Sequence, residues 1–555
     1  MKIRISVLTV LLLLLSQVLT AAPTVSNVYF SQVPSGEGGT IFRVQYDLTS
    51  TTPTCRVLLK VSLNGGESFS FSPSSATGDI GAGVTPGLVK TIFWDVAQDF
   101  PETIIADAKV RVIAEDDVPI PAVVSGSVVA GDTTPERAHT FSIVFSEAVT
   151  DFDSSDLQLL DAKLDSFVSL SPNTYTLDIT ATGPFVRVNF PAGAGAAGTG
   201  TGNETAGVSF EFIYLPPDFA LPAAGSFLMG NSGVGIDLSS SRPNELPKHS
   251  VTLSPFIIGK YEITNAEYAS ALNWANSQGL ISRDTFGTPY SGGGTVFLNN
   301  AAGIPEALIY LGDSACGIDH VGGIFVPAVR TTSFGLEDMA QHPVHNVTWF
   351  GAVAYCNFRS VEEGVPEAYD FANWNLRDAN PILGGIQLNS GYRLPTEAEW
   401  EFAAAWDGTK HFVFGTWTDA LIGASRANHR VDGGMYANPM GFTSGALTSR
   451  VGWFDGQNVS PNGSVQTEDS PSPSGAYDMS GNVWEWCNDW YIDSYYADSP
   501  TVNPMGPTIA LDKSIRGGSW GAITTSCRTA LRINNLPSFR NDGIGMRIAR
   551  GAQTP

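Results

Sequence analysis

The sequence predicts a multidomain protein in which two all-β sandwiches precede an α+β domain. Its 555 residues correspond to three or four domains at roughly 100–200 residues each. The 58 glycines and 34 prolines indicate many turns, which favours β-sandwiches and loop-rich α+β domains over helical bundles. Residues 23–116 and 117–213 alternate apolar and polar side chains, and beyond residue 215 tryptophans and short capped helices replace that pattern.

The amino-acid composition limits the classes of function. Hydrophobic residues make up 43% of the chain, aromatic residues 10% and charged residues 15%, which is ample for sizeable cores and unlike a disordered protein. The 30 lysines and arginines against 54 acidic residues give a net charge of −24. Because an acidic surface repels phosphate, we expect no binding to nucleic acid or to an anionic membrane.

Residues 1–22 predict a cleavable secretory signal peptide. Lys2 and Arg4 precede the apolar run Ile5–Leu15, and small residues then lead to Ala22 before a proline. The run is too short to span a bilayer, and no later stretch approaches about 18 apolar residues. We therefore expect an exported protein, secreted or held in the cell envelope (extracellular or periplasmic), with no membrane span.

Residues 23–116 predict the first β-sandwich. Apolar residues alternate with polar neighbours at Phe42, Val44, Tyr46 and Leu48, and again at Val57, Leu59, Val61 and Leu63. Asn64-Gly65-Gly66 then reads as a hairpin turn. The stretch Ala114–Pro121 is typical of an exposed linker to the next domain.

Residues 117–213 predict a second sandwich. The apolar positions of its strands are Phe141, Ile143, Phe145, Tyr175, Leu177, Ile179, Val186, Val188 and Phe190. Strand number and spacing in both blocks are those of immunoglobulin-like domains, and TFSIVFSEAVTDFDSSDL resembles bacterial immunoglobulin-like repeats. Asp151, Asp153 and Asp156 have a spacing that could bind calcium, but we interpret them as carboxylates of a solvated turn.

Residues 214–555 predict an α+β domain, which follows an exposed linker at 215–218. Thr264 and Thr396 each precede a glutamate by three residues, which is the capping box that begins a helix. Thr348 predicts the start of a third helix. The loops then contain Trp484, Trp486, Trp490 and Trp520. These indoles could line a ligand groove, but we favour a role in the core.

Seven segments of this last domain occur in an order that resembles one family. They are GSFLMG (225–230), KYEITNAEY (260–268), HPVHNVTWFGAVAYC (342–356), GYRLPTEAEWEFA (391–403), YDMSGNVWEWCNDWY (477–491), RGGSW (516–520) and GIGMRIAR (543–550). Together they resemble the sulfatase-modifying factor family, whose founding activity is that of the formylglycine-generating enzyme, across residues 219–551. The resemblance implies an elaborated C-type-lectin-like α+β fold with calcium in its loops.

The resemblance also implies a catalytic site after the glycine pair of RGGSW, where Ser519 matches the family serine. The founding enzyme holds copper(I) between two cysteines, three and eight residues after that serine, and oxidises a client cysteine. Here Ala522 occupies the first position. Cys527 occupies the second without a gap, whereas counting back from Arg532 needs a gap and gives a position near Thr524. A lone thiol does not complete a two-coordinate site, so copper is not expected.

Calcium is the cofactor that the resemblance implies. The family loop uses an Asn side chain, a Glu side chain and backbone carbonyls. The matching positions are Asp478, Gly481, Val483 and Glu485, with Asp in place of Asn. The alternative for Glu485 is a loop carboxylate bonded to nearby amides. A second family site would begin at Asn428, but no Asp lies between Asp432 and Asp455, where its partner is expected.

The sequence has five cysteines, an odd number for an oxidising compartment. Cys487 and Cys527 form either one structural disulfide or two separate buried thiols, and sequence alone leaves both open.

Two classes of function follow. The first is an interaction module that has lost the copper pair and presents a groove to a peptide or glycan of an exported partner. The alternative is an oxidoreductase that modifies a client side chain, by formylglycine generation on a sulfatase-type cysteine or a related oxidation. Whether the chain is an enzyme stays open, because Ala522 replaces the first catalytic cysteine. The G-x-S-x-G pattern around Ser519 does not indicate a hydrolase, since no histidine follows His429.

Overall fold

A computed structural model describes residues 23–551, except 35–39, 52–53, 64–65, 67, 101–107, 117–120, 126–127, 146–148, 151, 191–195, 198–207, 300–304, 378, 381–384, 387–390 and 432–433. The expected signal peptide, Asp151 and most of the expected hairpin turn at 64–66 lie outside the described residues. None of the helices in the part of the chain that the structure describes is long and apolar enough to cross a membrane.

The first β-unit consists of two sheets around one core. Its strands are β1 (Thr24–Pro34), β2 (Thr40–Thr49), β3 (Cys55–Ser62), β4 (Ala76–Gly78), β5 (Gly81–Val84), β6 (Gly87–Asp95) and β7 (Lys109–Asp116), and a short helix α1 spans Val96–Asp99. The sheet orders are β1-β2-β6-β4 and β5-β3-β7. The alternating residues from Val44 to Val61 are buried as expected, with Trp94 at the centre. Leu63 is not part of this core, because β3 ends at Ser62 and Leu63 is 45% exposed.

The second β-unit has the same layered construction. Its strands are β8 (Pro121–Ser125), β9 (Thr133–Thr134), β10 (Ala138–Phe145), β11 (Val149–Thr150), β12 (Gln158–Leu160), β13 (Ala162–Ser171), β14 (Thr174–Ala181), β15 (Phe185–Phe190), β16 (Ala196–Ala197) and β17 (Val208–Tyr214). The main sheets run β13-β14-β10-β8 and β12-β15-β17-β9. All nine apolar positions expected in its strands are buried. Asp153 and Asp156 cap a short 3-10 turn by bonding each other's backbone, which agrees with the turn interpretation.

The third unit contains many short strands. They are β18 (Phe219–Ala220), β19 (Gly225–Met229), β20 (His249–Leu253), β21 (Phe256–Gly259), β22 (Ile281–Ser282), β23 (Thr295–Leu298), β24 (Ala307–Tyr310), β25 (Ile318–Val321), β26 (Ile324–Pro327), β27 (Val329–Thr332), β28 (Gly335–Asp338), β29 (Tyr369–Asp370), β30 (Asn375–Leu376), β31 (Ala379–Asn380), β32 (Gly385–Ile386), β33 (Trp484–Trp490), β34 (Lys513–Arg516), β35 (Ile533–Asn535), β36 (Ile544–Gly545) and β37 (Ala549–Gly551). The sheet β35-β34-β33-β36 supports the candidate site, because the RGGSW segment leaves the end of β34.

The helices of the third unit are α2 (Gly235–Ser240), α3 (Asn265–Ser277), α4 (Trp349–Glu362) and α5 (Glu397–Ala405). Thr264 and Thr396 form the expected capping boxes with Glu267 and Glu399, and Thr348 caps α4. The expected apolar face of α4 is buried. These caps fix where α3, α4 and α5 begin, and the tertiary core then orients them.

The tryptophans of the third unit divide between core and surface. Trp486 is fully buried and donates its indole N–H to the carbonyl of Val347 at 3.1 Å, as the core interpretation expects. Trp484, Trp490 and Trp520 are only partly buried.

The two junctions between units differ from the exposed linkers expected from the sequence. Residues 114–116 are the last three residues of β7, paired with β3, so this part of the stretch is strand rather than linker. At the second junction Pro216 is buried and Phe219 joins the core of the third unit. Leu215 packs against the same core. The apolar side chains of this segment therefore pack against the core of the third unit.

Candidate functional site

The candidate site is the turn that follows β34. Gly517 and Gly518 have φ angles of +95° and +83°, a backbone region that disfavours side chains. A Cβ atom on Gly518 would lie 2.6 Å from the sulfur of Cys527. Glycine at this position therefore lets the turn pass directly over the thiol.

The thiol of Cys527 is sealed beneath that turn. Its side chain is fully buried, and Sγ lies 3.8 Å from the carbonyl oxygen of Ile523, to which it donates. Burial raises the pKa of the Cys527 thiol to about 12, although a hydrogen bond from the Ser519 backbone opposes the shift. At neutral pH the sulfur is thus a protonated, weakly nucleophilic thiol.

Ala522 lies in the same apolar cluster as this thiol. Its methyl group packs against the apolar cluster that contains Cys527 and Phe414. Thr524 instead shares a hydrogen bond with the ring of His429 at 3.1 Å. Ala522 and Cys527 therefore lie in one apolar cluster, whereas Thr524 bonds to His429.

Ser519 lies at the entrance of the turn and is 6% exposed. Its hydroxyl oxygen accepts a hydrogen bond from the backbone N–H of Gly521 at 3.3 Å, and its carbonyl accepts from Ala522 at 2.9 Å. The next residue, Trp520, donates its indole N–H to the carbonyl of Asp542 at 3.0 Å. The bonds of Ser519 hold its own turn together, and the indole bond fixes Trp520 relative to the segment 541–543.

An open cleft of about 490 Å³ adjoins that segment. Tyr310, Asp313, Asn346, Arg540, Asn541 and Asp542 line it. Burial raises the pKa of Asp542, and the nearby Asp313 adds to the shift. The cleft thus holds two carboxyl groups together with the guanidinium of Arg540. On the other side of Trp520, Tyr436 lies 5.8 Å away, ring centre to ring centre. Trp520 and Tyr436 are not in the lining of the cleft, and Trp520 adjoins it through its bond to Asp542.

The loop expected to bind calcium has a different set of partners from those expected. Glu485 is fully buried in β33, and its two oxygens accept from Nε and Nη2 of Arg547 at 2.6 Å each. The indole N–H of Trp400 adds a third bond at 2.7 Å. Glu485 is therefore paired with a guanidinium, and nearby amides, the alternative considered for it, are not its main partners. Asp478 has φ +59° and accepts from the backbone N–H of Gly452 at 2.6 Å.

Glu262 is a member of this cluster that sequence reasoning did not single out. Its oxygens accept from Asn482 Nδ2 at 2.8 Å and from the backbone N–H of Val483 at 3.2 Å. Burial, and then repulsion from Asp478 and Glu485, raises its pKa well above the usual range. The only sequence signal for Glu262 was its position inside the segment KYEITNAEY. Likewise, the only signal for Arg547 was its position inside GIGMRIAR.

Asn428 lies against the same loop. Its carbonyl oxygen accepts from the backbone N–H of Asn482 at 2.8 Å, and its Nδ2 donates to Leu447 at 2.7 Å. Its Oδ1 is buried and has no hydrogen-bond partner. An unpaired amide oxygen suits a hard cation at the second expected site, which begins at Asn428. Glu485 does not suit a cation at the first, because Arg547 occupies both its oxygens. Within the described residues, no group of three or more His, Cys, Asp or Glu side chains could hold a metal ion. Calcium thus stays a prediction.

The five cysteines are all described and buried, and none of them forms a disulfide. Cys487 packs with Ala398 and Trp400, whereas Cys527 packs with Phe414, in separate clusters. Of the two alternatives for Cys487 and Cys527, the structure has the pair of separate thiols.

Comparison with known proteins gives these features a context. A family described as "Sulfatase-modifying factor enzyme 1-like domain" matches residues 215–552. The formylglycine-generating enzyme of Streptomyces coelicolor is similar, with 28% identity over 338 residues, 59% of this chain and 87% of that protein. The enzyme of the same name from Thermomonospora curvata is 27% identical over 339 residues, 60% of this chain and 92% of that protein. Among solved structures, Treponema denticola variable protein 1 is 23% identical, with a TM-score of 0.35 over 62% of this chain and 96% of that one.

Proposed function

Because this chain belongs to the sulfatase-modifying factor enzyme 1-like family, we propose that its C-terminal domain is a binding module of an exported protein. Its ligand is an extended peptide or a glycan of an exported partner, held in the cleft beside Ser519 and Trp520. In this proposal the two β-units are immunoglobulin-like sandwiches that present the module.

The observation that carries the proposal is that Ala522 lies in the same apolar cluster as Cys527. Copper(I) chemistry of the founding kind needs two soft thiolates that face each other. Here the first position is Ala522, whose methyl group cannot bind copper. The second is Cys527, whose protonated thiol is buried under Gly518. A binding role keeps the scaffold of the site but does not need the missing ligand.

The cleft supports recognition by charge and by stacking. Asp313 and Asp542 favour a ligand with a basic or hydrogen-bond-donating group. Trp520 and Tyr436 offer ring faces on which a sugar or a planar side chain can stack.

Calorimetric titration with a sulfatase-type cysteine peptide, and with the same peptide carrying serine in place of cysteine, tests the proposal. A binding module binds both peptides equally and leaves the cysteine unconverted in mass spectra, even with copper and oxygen supplied. Trp520→Ala should weaken binding about tenfold or more. Trp417→Ala, at an indole 51% exposed on another loop, serves as the matched control. Copper-dependent conversion of the cysteine would overturn the proposal.

The alternative is an oxidoreductase that acts on a client side chain. One observation favours it: Ala522 and Cys527, which match the family's cysteine pair in the alignment without a gap, lie in one apolar cluster, and Cys527 still supplies a thiol. Oxygen consumption that depends on the cysteine peptide, and that Cys527→Ser abolishes, would support this alternative.

Export and calcium binding complete the proposal. Residues 1–22 direct the chain out of the cytoplasm, into the envelope or the medium. Calcium is held near Asp478 and Asn428, where the buried carboxylates of Glu262 and Asp478 share a single arginine with Glu485.

A further inference from the structure

We propose that Lys513 is the reactive amine of a second ligand site, a small pocket lined by Trp374 and Trp490, in which it forms an imine with a planar aldehyde. Lys513 begins β34, whereas the candidate site described above follows the other end of that strand. The inference therefore does not depend on the function proposed for the C-terminal domain.

The pocket is small and partly aromatic. Its volume is about 230 Å³, and Trp374, Trp490, Asn488, Thr508 and Lys513 are among its lining residues. Pockets for drug-sized ligands begin at about 300 Å³, so this one suits a smaller molecule. The flat faces of indole rings favour a planar ligand. Among the described residues that line the pocket, Lys513 alone is ionisable.

Trp374 has an unusual backbone conformation at this pocket. It lies in the turn between β29 and β30 with φ +61°, a region that bulky residues rarely adopt. Its ring packs against Phe350 and Phe371, whose ring centres are 4.8 Å and 5.1 Å away. Strain of this kind persists only where the surrounding structure holds it, and it clusters at ligand sites. These contacts therefore fix one indole of the pocket lining.

The amine of Lys513 also has a fixed position. The residue is 4% exposed, and its Nζ lies 3.9 Å from the ring centres of both Trp349 and Trp490. The two rings are stacked, with their centres 6.4 Å apart. Nζ donates a hydrogen bond to the backbone carbonyl of Asn488 at 2.8 Å. Two aromatic faces and one carbonyl thus hold the nitrogen at the wall of the pocket.

Burial makes this amine less basic than an ordinary lysine. It lowers the pKa of Lys513 to about 7, and the nearby Asp489 opposes the shift. Burial also raises the pKa of Asp489 well above its usual range, so this carboxyl group carries little charge at neutral pH. The indole faces attract an ammonium and act in the same direction as Asp489. Neutral pH therefore maintains some free amine at Lys513, whereas a lysine in water, with a pKa near 10.4, is almost entirely protonated.

The free amine supplies the nucleophile for an imine. Its lone pair attacks the carbonyl carbon of the aldehyde, the C–N bond forms, and the π electrons of the carbonyl move to oxygen. One proton moves from nitrogen to that oxygen. The hydroxyl group then leaves with the second nitrogen proton as water, and the C=N bond forms. The step needs no oxidant or reductant, and burial of a lysine in an apolar pocket is a general way to prepare it for this chemistry.

Reductive trapping of the purified protein with benzaldehyde and cyanoborohydride at about pH 7, followed by peptide mapping, tests the proposal. Lys410 is the internal control. Its Nζ also lies over a ring, that of Phe412 at 4.4 Å, but its side chain is 50% exposed and pairs with Asp419. We expect Lys513 to be modified at least about tenfold faster than Lys410, with a rate that saturates as benzaldehyde is raised. A rate no higher than that of Lys410, or one that never saturates, overturns the proposal.

Matched variants assign the reaction to one lysine. Lys513→Arg keeps a cation beside the indoles and should remove the fast, saturable phase, whereas Lys410→Arg should keep it. A fast phase that survives Lys513→Arg overturns the proposal.

A pH profile provides a measurement that needs no substitution. In competitive acetylation with acetic anhydride, the rate at Lys513 should level off at about pH 8, because the amine is by then largely deprotonated. A rate that continues to rise to about pH 10, as for a lysine in water, would show that Lys513 is a structural ammonium, and the proposal would then be wrong.

Discussion

Arg547 holds both carboxylate oxygens of Glu485 at 2.6 Å, at a place where the resemblance to the family implies a calcium ligand. The guanidinium also faces Glu262 and Asp478, so one buried positive charge serves three buried carboxyl groups. This pairing changes which substitution is informative about calcium.

Substitution of Glu485 does not discriminate a metal site from an ion pair. Glu485→Gln leaves the buried Arg547 without its partner, which costs roughly 3–5 kcal/mol of folding stability whether or not calcium binds. The informative variant is Asp478→Ala, which removes the side-chain oxygen, whereas Asp478→Asn would keep an oxygen of the kind that the family uses. At a hundredfold excess over Kd, calcium should stabilise the wild type by about 2.7 kcal/mol, and the variant should lose this gain. Thermal melting with and without a chelator measures it.

The control for this experiment is Asp498→Ala, which removes an exposed carboxylate outside the loop and should keep the calcium response. A wild-type melting temperature that a chelator does not change would exclude calcium at this loop.

A second prediction concerns copper. Because Ala522 packs in the cluster that contains Cys527, Ala522→Cys should place two thiols together and create copper(I) affinity that the wild type lacks. Thr524→Cys should not, because Thr524 faces His429. Competition with a chromogenic copper(I) chelator measures the affinity. No copper binding by Ala522→Cys alone, with binding restored when Thr524→Cys is added to it, would show that the gapped alignment is correct.

The close contact over the thiol gives a third prediction. Gly518→Ala places a Cβ 2.6 Å from the Cys527 sulfur at φ +83°, whereas Gly463→Ala at φ +70° meets no atom within 4 Å. The backbone conformation alone should cost about 1–2 kcal/mol in both variants. Gly518→Ala should lose a further 1–3 kcal/mol or so, because the sulfur has to move. Denaturant unfolding compares them, and equal losses would mean that the turn relaxes away from the sulfur.

A fourth prediction is a pH dependence from Asp161 in the second β-unit. Burial raises its pKa to about 6, against which the bond from the Phe185 backbone N–H and the nearby Arg550 act only in part. The folded state therefore binds a proton more tightly than the unfolded state, whose pKa is near 3.8. The free energy of unfolding should fall as pH rises from about 4 to about 6, by up to roughly 3 kcal/mol.

Asp161→Asn should flatten that dependence, because the amide does not titrate. Denaturant unfolding at several pH values between about 4 and 7 measures both proteins. A wild-type slope that the substitution leaves unchanged would assign the titration to another group.

Much of the local structure was predictable. Capping boxes depend on contacts over three residues, so Thr264 and Thr396 marked the starts of α3 and α5 correctly. Alternation depends on the two-residue repeat of a strand, and it identified the buried positions from Val44 to Val61. The ordered segments identified the family, and RGGSW predicted where the site lies and that Ala522 replaces the first cysteine.

The tertiary structure decided which of these residues face each other and how they are charged. Asn482 and Glu262 are 220 residues apart in the sequence, and Arg547 and Glu485 are 62 apart. No local sequence pattern predicts contacts between residues so far apart. The state of Cys527 depends on burial under Gly518, and the pKa of its thiol follows from that desolvation and not from its neighbours in sequence. The sequence alone determined many of the elements and predicted the missing ligand, because local propensity and residue identity are short-range properties. The tertiary fold alone determined the partners of the buried charges, because burial depends on every segment that packs around them.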